Sequence, residues 1–472
     1  MMKKVFAMVL AILISALLCV GCQEKQTQQT QKLCDTTGDR WHVGFGSAEI
    51  LPDKESEQPL YIAGYDPGRE ITDVRDYCQA RAVWIDTGSE GVLLIGIDCV
   101  GLDSGSVARI RQSLSDIPDC AAINVYSTHT HAAIDTMGLW GPTAIDGKND
   151  AYMESLFRAA EKAARAAAAD RHTATLRFGK VITPNMFRDS RMPQVYDDYL
   201  YQLRFVTEDG SAGTRLFFYG AHAESLRGDN TIVSRDFPGL LCDTVTEKTG
   251  DNTMFFPGAI GGLVMTRTFV DDILTPADAE RNLQITAEKL VNFAMSIRPE
   301  DEKILAPKMK LARTEFTVAL DNPIFVTYKF LGIFQNNAVK ADSATGYGVK
   351  TELSILQLGN LGVALLPGEI FPELVLGGEY GKSNIWGENP EPLLTLAQKQ
   401  GLDTLLVVGL ANDEIGYIVP PSDFLVNPEL PYLERFVDFK DEDHYEETNS
   451  VGPECAQAVA DAFASAAEQL AN

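Results

Sequence analysis

Basic residues are scarce in this chain relative to acidic ones. Its 472 residues contain 40 Lys and Arg against 66 Asp and Glu, which gives a formal net charge of -26 at pH 7. This excess of negative charge repels phosphate backbones and anionic lipid surfaces. Nucleic acid is therefore not expected as a partner.

The sequence also lacks the cysteine pattern of a zinc or disulfide framework. Closely spaced pairs are the usual signature of structural zinc sites and small disulfide scaffolds. After Cys22 there is no C-x-x-C pair, and the cysteines are widely and irregularly spaced at Cys34, Cys78, Cys99, Cys120, Cys242 and Cys455. The spacing does not predict which of them, if any, are paired.

The apolar run near the N-terminus, VFAMVLAILISALL, is too short to span a membrane comfortably. Lys3 and Lys4 precede it, as in a secretory signal peptide, and it ends in LLCVGC, which resembles a bacterial lipobox. We predict a lipoprotein signal peptide over residues 1–21 and an exported, bacterial cell-surface protein anchored to the membrane by a lipid on Cys22. An ordinary secretory signal is the alternative. The polar tract over residues 22–40 predicts a flexible tether, because it has too little apolar surface to pack.

Beyond this tract the chain has no low-complexity break and no apparent repeat. Short apolar runs of strand length, such as GVLLIGIDCV and TLLVVGLAND, alternate with helical stretches. Asn149 or Asp150 can cap one predicted helix, and Asp236 can cap a second that ends at Gly250. The pattern predicts a mixed α/β fold, with a β-sheet core flanked by helices, in a single large domain of catalytic size over residues 41–472.

Side chains of the metal-binding type follow four of the predicted strands. His129 and His131 lie at the end of the run VYSTHTH, and His222 ends the run LFFYGAH. Glu369 ends the run GVALLPGE, and Glu414 and Tyr417 lie at the end of VVGLANDEIGY. In α/β folds, sites gather at the carboxyl ends of strands. Residues i and i+2 of a strand face the same side, so His129 and His131 can face one pocket. Imidazole and carboxylate together suit Zn²⁺, and three protein ligands leave the open position that catalysis needs.

Each of these residues also has a structural interpretation. Any of the histidines could be a hydrogen-bonded core or surface residue, Glu369 could cap a helix in PGEIFPELVLGG, and Tyr417 could be a core aromatic side chain. We interpret His42, His172 and His444 as structural.

Two other metal folds use an H-x-H motif. The metallo-β-lactamase pattern H-x-H-x-D-H requires Asp at position 133, where this chain has Ala133, and that fold is therefore excluded. A TIM-barrel amidohydrolase places H-x-H after its first strand and uses a later Lys and two more His. Here the motif follows several strands and the chain has only 6 His, so this fold is retained only as a rival.

Several segments resemble, in order, the neutral (non-lysosomal) ceramidases. They extend from about Val43 to Pro453 and read STHTHAAID, FRDSR, YQLRFVTEDGSAGTRLFFYGAHAES, NTIVSRDFPG, VALLPGE, VVGLANDEIGYIVPPSDF and HYEETNSVGP. The resemblance implies a zinc amidase that splits the N-acyl bond of ceramide into sphingosine and fatty acid.

The resemblance also implies a role for each site residue. The positions that match the family's zinc ligands are His129, His222, Glu369 and Tyr417, with Glu414 at the family's preceding tyrosine. Three further positions match other active-site residues of the family. His131 matches a residue for proton transfer or binding of substrate oxygen, and Tyr445 matches a second active-site tyrosine. Arg188 matches the active-site arginine, with Arg191 as the near alternative. Zinc lowers the pKa of a bound water towards about 7. Zinc together with Tyr445, Arg188 or His131 could stabilise the oxyanion that forms on the amide.

Two departures from the family bear on the substrate. Gly261, in FFPGAIGGLVM, replaces a family serine that was once assigned a catalytic part, so no seryl nucleophile is expected. The chain stops soon after Pro453, so the immunoglobulin-like C-terminal domain of the longer ceramidases is expected to be absent.

Three functions are compatible with these observations. The first is zinc-dependent hydrolysis of an N-acyl amide bond, with ceramide or a related N-acyl lipid as the substrate. The second is hydrolysis of a non-lipid amide or ester by the same fold. The third is solute binding by a non-catalytic lipoprotein.

Overall fold

Two β-sheets form the core of the protein. The computed structural model describes residues 28–53, 56–378, 386–438 and 441–471. The predicted signal peptide over residues 1–21 and the predicted lipid-bearing Cys22 lie outside the described residues.

The larger sheet has nine strands of mixed direction. Eight of them are, in spatial order, Asn252–Pro257, Thr214–Tyr219, Tyr199–Thr207, His172–Ile182, Trp41–Glu49, Gln79–Asp86, Gly91–Ile97 and Cys120–Ser127. The ninth, Lys303–Ile304, pairs with His172–Ile182. The first two strands of this order are parallel to each other, and so are the last two, whereas the other pairs are antiparallel.

The smaller sheet has six strands. Five of them are, in spatial order, Gln29–Thr37, Lys308–Leu320, Tyr347–Leu358, Leu361–Leu365 and Thr404–Val408, and the sixth, Asn337–Lys340, pairs with Tyr347–Leu358. The last two strands of the spatial order form a parallel pair.

The predicted flexible tether over residues 22–40 is wrong for the part that the structure describes. Gln29–Thr37 is the edge strand of the smaller sheet and runs antiparallel to Lys308–Leu320. An edge strand is held largely by backbone hydrogen bonds along one side, so it can be polar and still be ordered. The folded domain therefore begins before residue 41.

The helices are Ser104–Ser113, Asp150–Ala169, Asp236–Thr249, Pro276–Ser296, Pro323–Phe330, Pro372–Leu376, Leu393–Lys399 and Cys455–Ala471, with 3-10 turns at Pro421–Asp423 and Glu446–Asn449. The Asn149 side chain caps the second helix and accepts a hydrogen bond from the Tyr152 amide at 2.9 Å. Gly250 ends the third helix with a left-handed φ of 76°. Asp236 is the first residue of that helix and not its cap, because Arg235 occupies the capping position.

The two sheets pack face to face, and helices cover their outer faces. Val83 of the larger sheet and Leu356 of the smaller one belong to the same buried cluster. The next residue along the strand, Trp84, faces the other way and packs with Asp150–Ala169. Cys455–Ala471 covers the outer face of the smaller sheet. This period-2 alternation confirms the predicted α/β domain, a sheet core flanked by helices.

Four pairs of two-residue strands join loops outside the sheets. They are Asp73–Val74 with Ile232–Val233, Phe187–Arg188 with Met265–Thr266, Glu369–Ile370 with Tyr417–Ile418, and Phe436–Val437 with Asp443–His444. Within the described residues, no helix is both long and apolar enough to cross a membrane.

Candidate active site

Loops that follow three strands of the sheets meet in one place. They carry, in chain order, His129 with His131, then His222, then Glu369. Each loop follows a strand that belongs to a parallel pair. A backbone bridge between Thr130 and Ala223 joins the two histidine loops directly. Rigid strands thus bring groups from three distant parts of the chain together.

Backbone carbonyls orient two of the histidines. Nδ1 of His129 donates a hydrogen bond to the Val100 carbonyl at 2.6 Å, and Nδ1 of His222 donates one to the Val264 carbonyl at 2.8 Å. Such bonds fix the ring orientation of metal-ligating histidines and leave Nε2 for the metal. His129 also has a φ of 62°, an uncommon conformation for a non-glycine residue that clusters at functional sites.

The Nε2 atoms and one carboxylate oxygen lie close together. His131 Nε2 is 3.0 Å from His129 Nε2, and Glu369 Oε2 is 2.9 Å from His222 Nε2 and 3.5 Å from His129 Nε2. Donors arranged tetrahedrally around a zinc ion, with bonds of about 2.0–2.1 Å, lie about 3.3 Å from one another. The spacing fits a metal centre, and the three histidines form a group that could hold a metal ion.

The charges of Glu369 and the histidines influence one another. Burial would raise the pKa of Glu369, but His129 and His222 outweigh it and lower that pKa, so the residue is a carboxylate. Burial would lower the pKa of His222, but Glu369 and Glu224 outweigh it and raise that pKa to about 9. His222 therefore shares a proton with Glu369, and metal binding at Nε2 would release this proton.

Tyr417 lies directly beside Glu369. The two residues are partners in the parallel pairing of Glu369–Ile370 with Tyr417–Ile418. Burial and the Glu369 carboxylate raise the pKa of Tyr417 well above its ordinary value. Both side chains line the same cavity as His129 and His131. The structure therefore brings His129, His222 and Glu369 together and places Tyr417 on the adjoining wall.

The cavity that these residues line has a volume of about 590 Å³. Much of its remaining wall is apolar or aromatic and includes Leu139, Trp140, Phe325, Tyr328, Leu331 and Phe334. Apolar cavities of this size with a few convergent polar groups are typical of small-molecule sites. The wall suits a ligand with an extended apolar part next to a reactive polar group.

Asp135 shapes this cavity and is not among the predicted site residues. Its carboxylate accepts hydrogen bonds from the backbone amides of Met137, Gly138 and Trp140 at 2.8 to 2.9 Å. These bonds hold the loop that carries the aromatic side chain of Trp140 into the wall. The only sequence signal is the position of Asp135 four residues after His131.

Tyr445 and Glu414 also line the cavity. The ring of Tyr445 lies 6.3 Å from that of Tyr417, centroid to centroid. Burial raises the pKa of Tyr445 to about 12, so its hydroxyl is a hydrogen-bond donor at neutral pH. Burial and the nearby Glu369 raise the pKa of Glu414, so this side chain is a neutral carboxylic acid.

Neither candidate arginine lines the described cavity, and the role of Arg188 stays a prediction. Its side chain is exposed on the short strand Phe187–Arg188 and is not part of the described cavity wall. Arg191, the alternative, is buried and contacts carboxylates of Asp423, Glu446 and Glu447 at 2.6, 2.8 and 3.2 Å. A buried guanidinium needs such partners, and here they are structural. Because Glu446 follows Tyr445, this ion-pair network positions the tyrosine.

A second group that could hold a metal ion consists of Asp423, Glu442 and His444. The Arg191 guanidinium already lies among these residues, with Nη2 2.6 Å from Asp423 Oδ2 and 3.1 Å from His444 Nδ1. This cation already pairs with Asp423 and lies beside His444, so we assign His444 a structural role.

Gly261 lies against the segment that carries Glu369. Its amide donates a hydrogen bond to the Ile370 carbonyl at 2.9 Å. A Cβ at position 261 would lie 2.5 Å from a ring carbon of Phe371 and 2.6 Å from its backbone nitrogen. These distances are too short for any side chain, so the absence of a serine here has a packing cause.

Two solved structures share the fold of this chain. The neutral ceramidase from Pseudomonas aeruginosa aligns with a TM-score of 0.70 over 92% of this chain and 74% of its own, at 14% sequence identity. The chain has the neutral ceramidase fold. A ceramidase complexed with C2 aligns with a TM-score of 0.68 over 91% of this chain and 75% of its own, also at 14% identity.

No protein-family model and no curated protein sequence matches this chain. The fold confirms the resemblance to the neutral ceramidases, which was based on short segments that occur in the same order along the chain. At such low identity most side chains differ. The activity of this ceramidase-fold protein therefore depends on its own cavity and histidine cluster.

Proposed function

We propose that this protein is a zinc-dependent hydrolase that cleaves an N-acyl amide bond, with ceramide or a related N-acyl lipid as its substrate. The observation that carries the proposal is the convergence of His129, His222 and Glu369, beside Tyr417, next to a largely apolar cavity that His129, Glu369 and Tyr417 line. The likeness to two ceramidase structures supports the same assignment.

The donor set fits zinc, since imidazole nitrogen and carboxylate oxygen are its usual ligands outside thiolate sites. His129, His222, Glu369 and Tyr417 would hold the ion. When bound, zinc would polarise the amide carbonyl and activate a water molecule.

The remaining residues of the site have separate tasks. The apolar wall binds the acyl chain and excludes water, which strengthens electrostatic interactions at the reacting amide. The Tyr445 hydroxyl can donate a hydrogen bond to the oxyanion that develops on the carbonyl oxygen. The Nε2 atom of His131 can take a proton from the attacking water and pass it to the leaving nitrogen.

A second candidate substrate is an N-acyl amino acid, which is an amide with an anionic head group. Arg435 lines the cavity, and its guanidinium carbon lies 5.8 Å from the centre of the Tyr445 ring. A carboxylate on the amine portion of the substrate could pair with this cation. Ceramide has no such charge.

The purified protein is expected to contain about one zinc per chain and to hydrolyse N-acylsphingosines in a chelator-sensitive manner. Each methylene that enters the apolar cavity contributes about 0.8 kcal/mol, so kcat/KM should rise up to about fourfold per added acyl carbon until the cavity is full. Rates for matched N-acylsphingosines, N-acyl amino acids and simple esters measure this.

Preference for N-acyl amino acids would select the second candidate, and preference for short esters would select a non-lipid hydrolase of this fold. Metal-free protein with full activity would refute the zinc proposal. Tight ligand binding without turnover of any amide or ester would select the solute-binding lipoprotein.

We also propose that the protein is exported and held at the bacterial cell surface by a lipid on Cys22. The lipobox-like LLCVGC supports this location. Cys22→Ser is expected to shift the protein from the membrane fraction to the soluble fraction of the host cells. Equal membrane attachment of the variant and the parent protein would contradict the anchor.

A further inference from the structure

A buried carboxylate lies behind the second histidine of the STHTH motif. Glu224 is two residues after His222 in the same loop and is 6% exposed. Its Oε1 lies 3.7 Å from His131 Nδ1. Among the described residues, neither atom has a hydrogen-bond partner. Buried polar atoms without hydrogen-bond partners are costly in free energy. A small movement that brings Glu224 Oε1 and His131 Nδ1 within hydrogen-bond distance would therefore be favourable.

Tyr65 holds the other oxygen of this carboxylate. The Tyr65 hydroxyl donates a hydrogen bond to Glu224 Oε2. The Tyr65 ring meets the His131 ring edge-on, with centroids 5.5 Å apart and an interplanar angle of 78°. Tyr65 thus contacts both members of the pair and limits their movement relative to each other.

Gly64 makes this arrangement possible. It has a φ of 102°, and a Cβ at this position would lie 2.5 Å from the Cβ and Cγ atoms of His131. Only glycine allows the backbone to pass so close to the imidazole while it places Tyr65 over Glu224.

His131 differs from the other two histidines of the cluster in the group that faces its Nδ1. For His129 and His222 this group is a neutral backbone carbonyl, whereas for His131 it is the carboxylate of Glu224. A carboxylate beside Nδ1 selects the tautomer with hydrogen on Nδ1 and stabilises positive charge on the ring better than a carbonyl does.

We propose that Glu224 is a positioning residue that holds His131 in the Nδ1–H tautomer, with the Nε2 lone pair directed at the reacting amide. The inference rests on the proposed hydrolase function. In the reaction, Nε2 takes a proton from the attacking water as the carbon–oxygen bond forms. It gives this proton to the nitrogen as the carbon–nitrogen bond breaks, so His131 ends in its starting state.

The test uses Glu224→Gln, which removes the charge at nearly constant shape, and Tyr65→Phe, which leaves the carboxylate but removes its hydrogen-bond donor. Loss of a partner of this kind typically costs about 10–100-fold in activity. We expect this loss in kcat for Glu224→Gln, with little change in KM or bound zinc, and a smaller loss for Tyr65→Phe.

Nitrogen NMR of histidine-labelled protein supplies a readout that does not depend on turnover. We expect protonated Nδ1 on His131 in the parent protein and a mixture of tautomers in Glu224→Gln, while the His129 and His222 signals keep their positions. This result would stand even if no amide were hydrolysed, so failure of the proposed function would be recognised separately. An unchanged His131 spectrum, or a parental kcat in a folded Glu224→Gln variant, would overturn the inference.

Discussion

Glu369→Gln is expected to lose tightly bound zinc and at least about 10³-fold in kcat/KM, which exceeds the about 10–100-fold typical of residues that act only through a ligand. The amide keeps the shape of the side chain but removes the negative charge that lies between His129 and His222, 3.5 and 2.9 Å from their Nε2 atoms. Metal content after dialysis and initial rates with the preferred N-acyl substrate measure the two effects.

Glu373→Gln is the matched control, because it makes the same exchange four residues later. Glu373 is buried on the helix Pro372–Leu376, and burial raises its pKa to about 8, so it is largely uncharged at neutral pH. Its exchange should change neither zinc content nor rate. If Glu369→Gln behaved like this control, Glu369 would not be a ligand.

Gly261→Ser introduces a serine where the ceramidase resemblance predicts one, but is expected to reduce activity rather than increase it. The new Cβ would lie 2.6 Å from the Phe371 nitrogen and 2.7 Å from the Ile370 carbonyl carbon, so the segment that follows Glu369 has to move. Overpacking of this kind costs about 1–3 kcal/mol, and a shift of about 1 Å at a catalytic group can cost about 10²-fold in rate. Thermal unfolding and kcat/KM together measure this.

Gly210→Ser separates the cost of a new side chain from the cost of the clash. Gly210 has a left-handed φ of 81° in a turn, and a Cβ there would meet nothing within 4 Å. This control should lose only a little stability, from backbone strain, and no activity. A Gly261→Ser variant with increased turnover would instead indicate that a serine can take part in the reaction.

Local sequence patterns correctly predicted features that depend on a single helix. The helix Asp150–Ala169, its Asn149 cap and the Gly250 stop all depend on residues within a few positions of one another. The strand Gln29–Thr37 was missed because its order comes from a partner almost 300 residues away in the chain, Lys308–Leu320. Its polar side chains carry no local sign of this pairing.

The surroundings of the two candidate arginines also depend on distant parts of the chain. Sequence position could not distinguish the exposed Arg188 from the buried Arg191, since both occur in one short segment, FRDSR. The carboxylates that engage Arg191 come from residues more than 200 positions later. Only the folded chain shows that this guanidinium belongs to an ion-pair network and not to the cavity wall.

Hydrophobic periodicity and strand ends are local properties, so the order of amino acids was enough to predict the α/β class and the residues that follow the strands. The folded chain alone shows which nitrogen and oxygen atoms meet, since these distances depend on how distant strands pair. It added Glu224 and Tyr65 behind His131 and placed Tyr417 beside Glu369. It also showed that Gly261 cannot accept a side chain, because the backbone of Ile370 and Phe371 occupies that space.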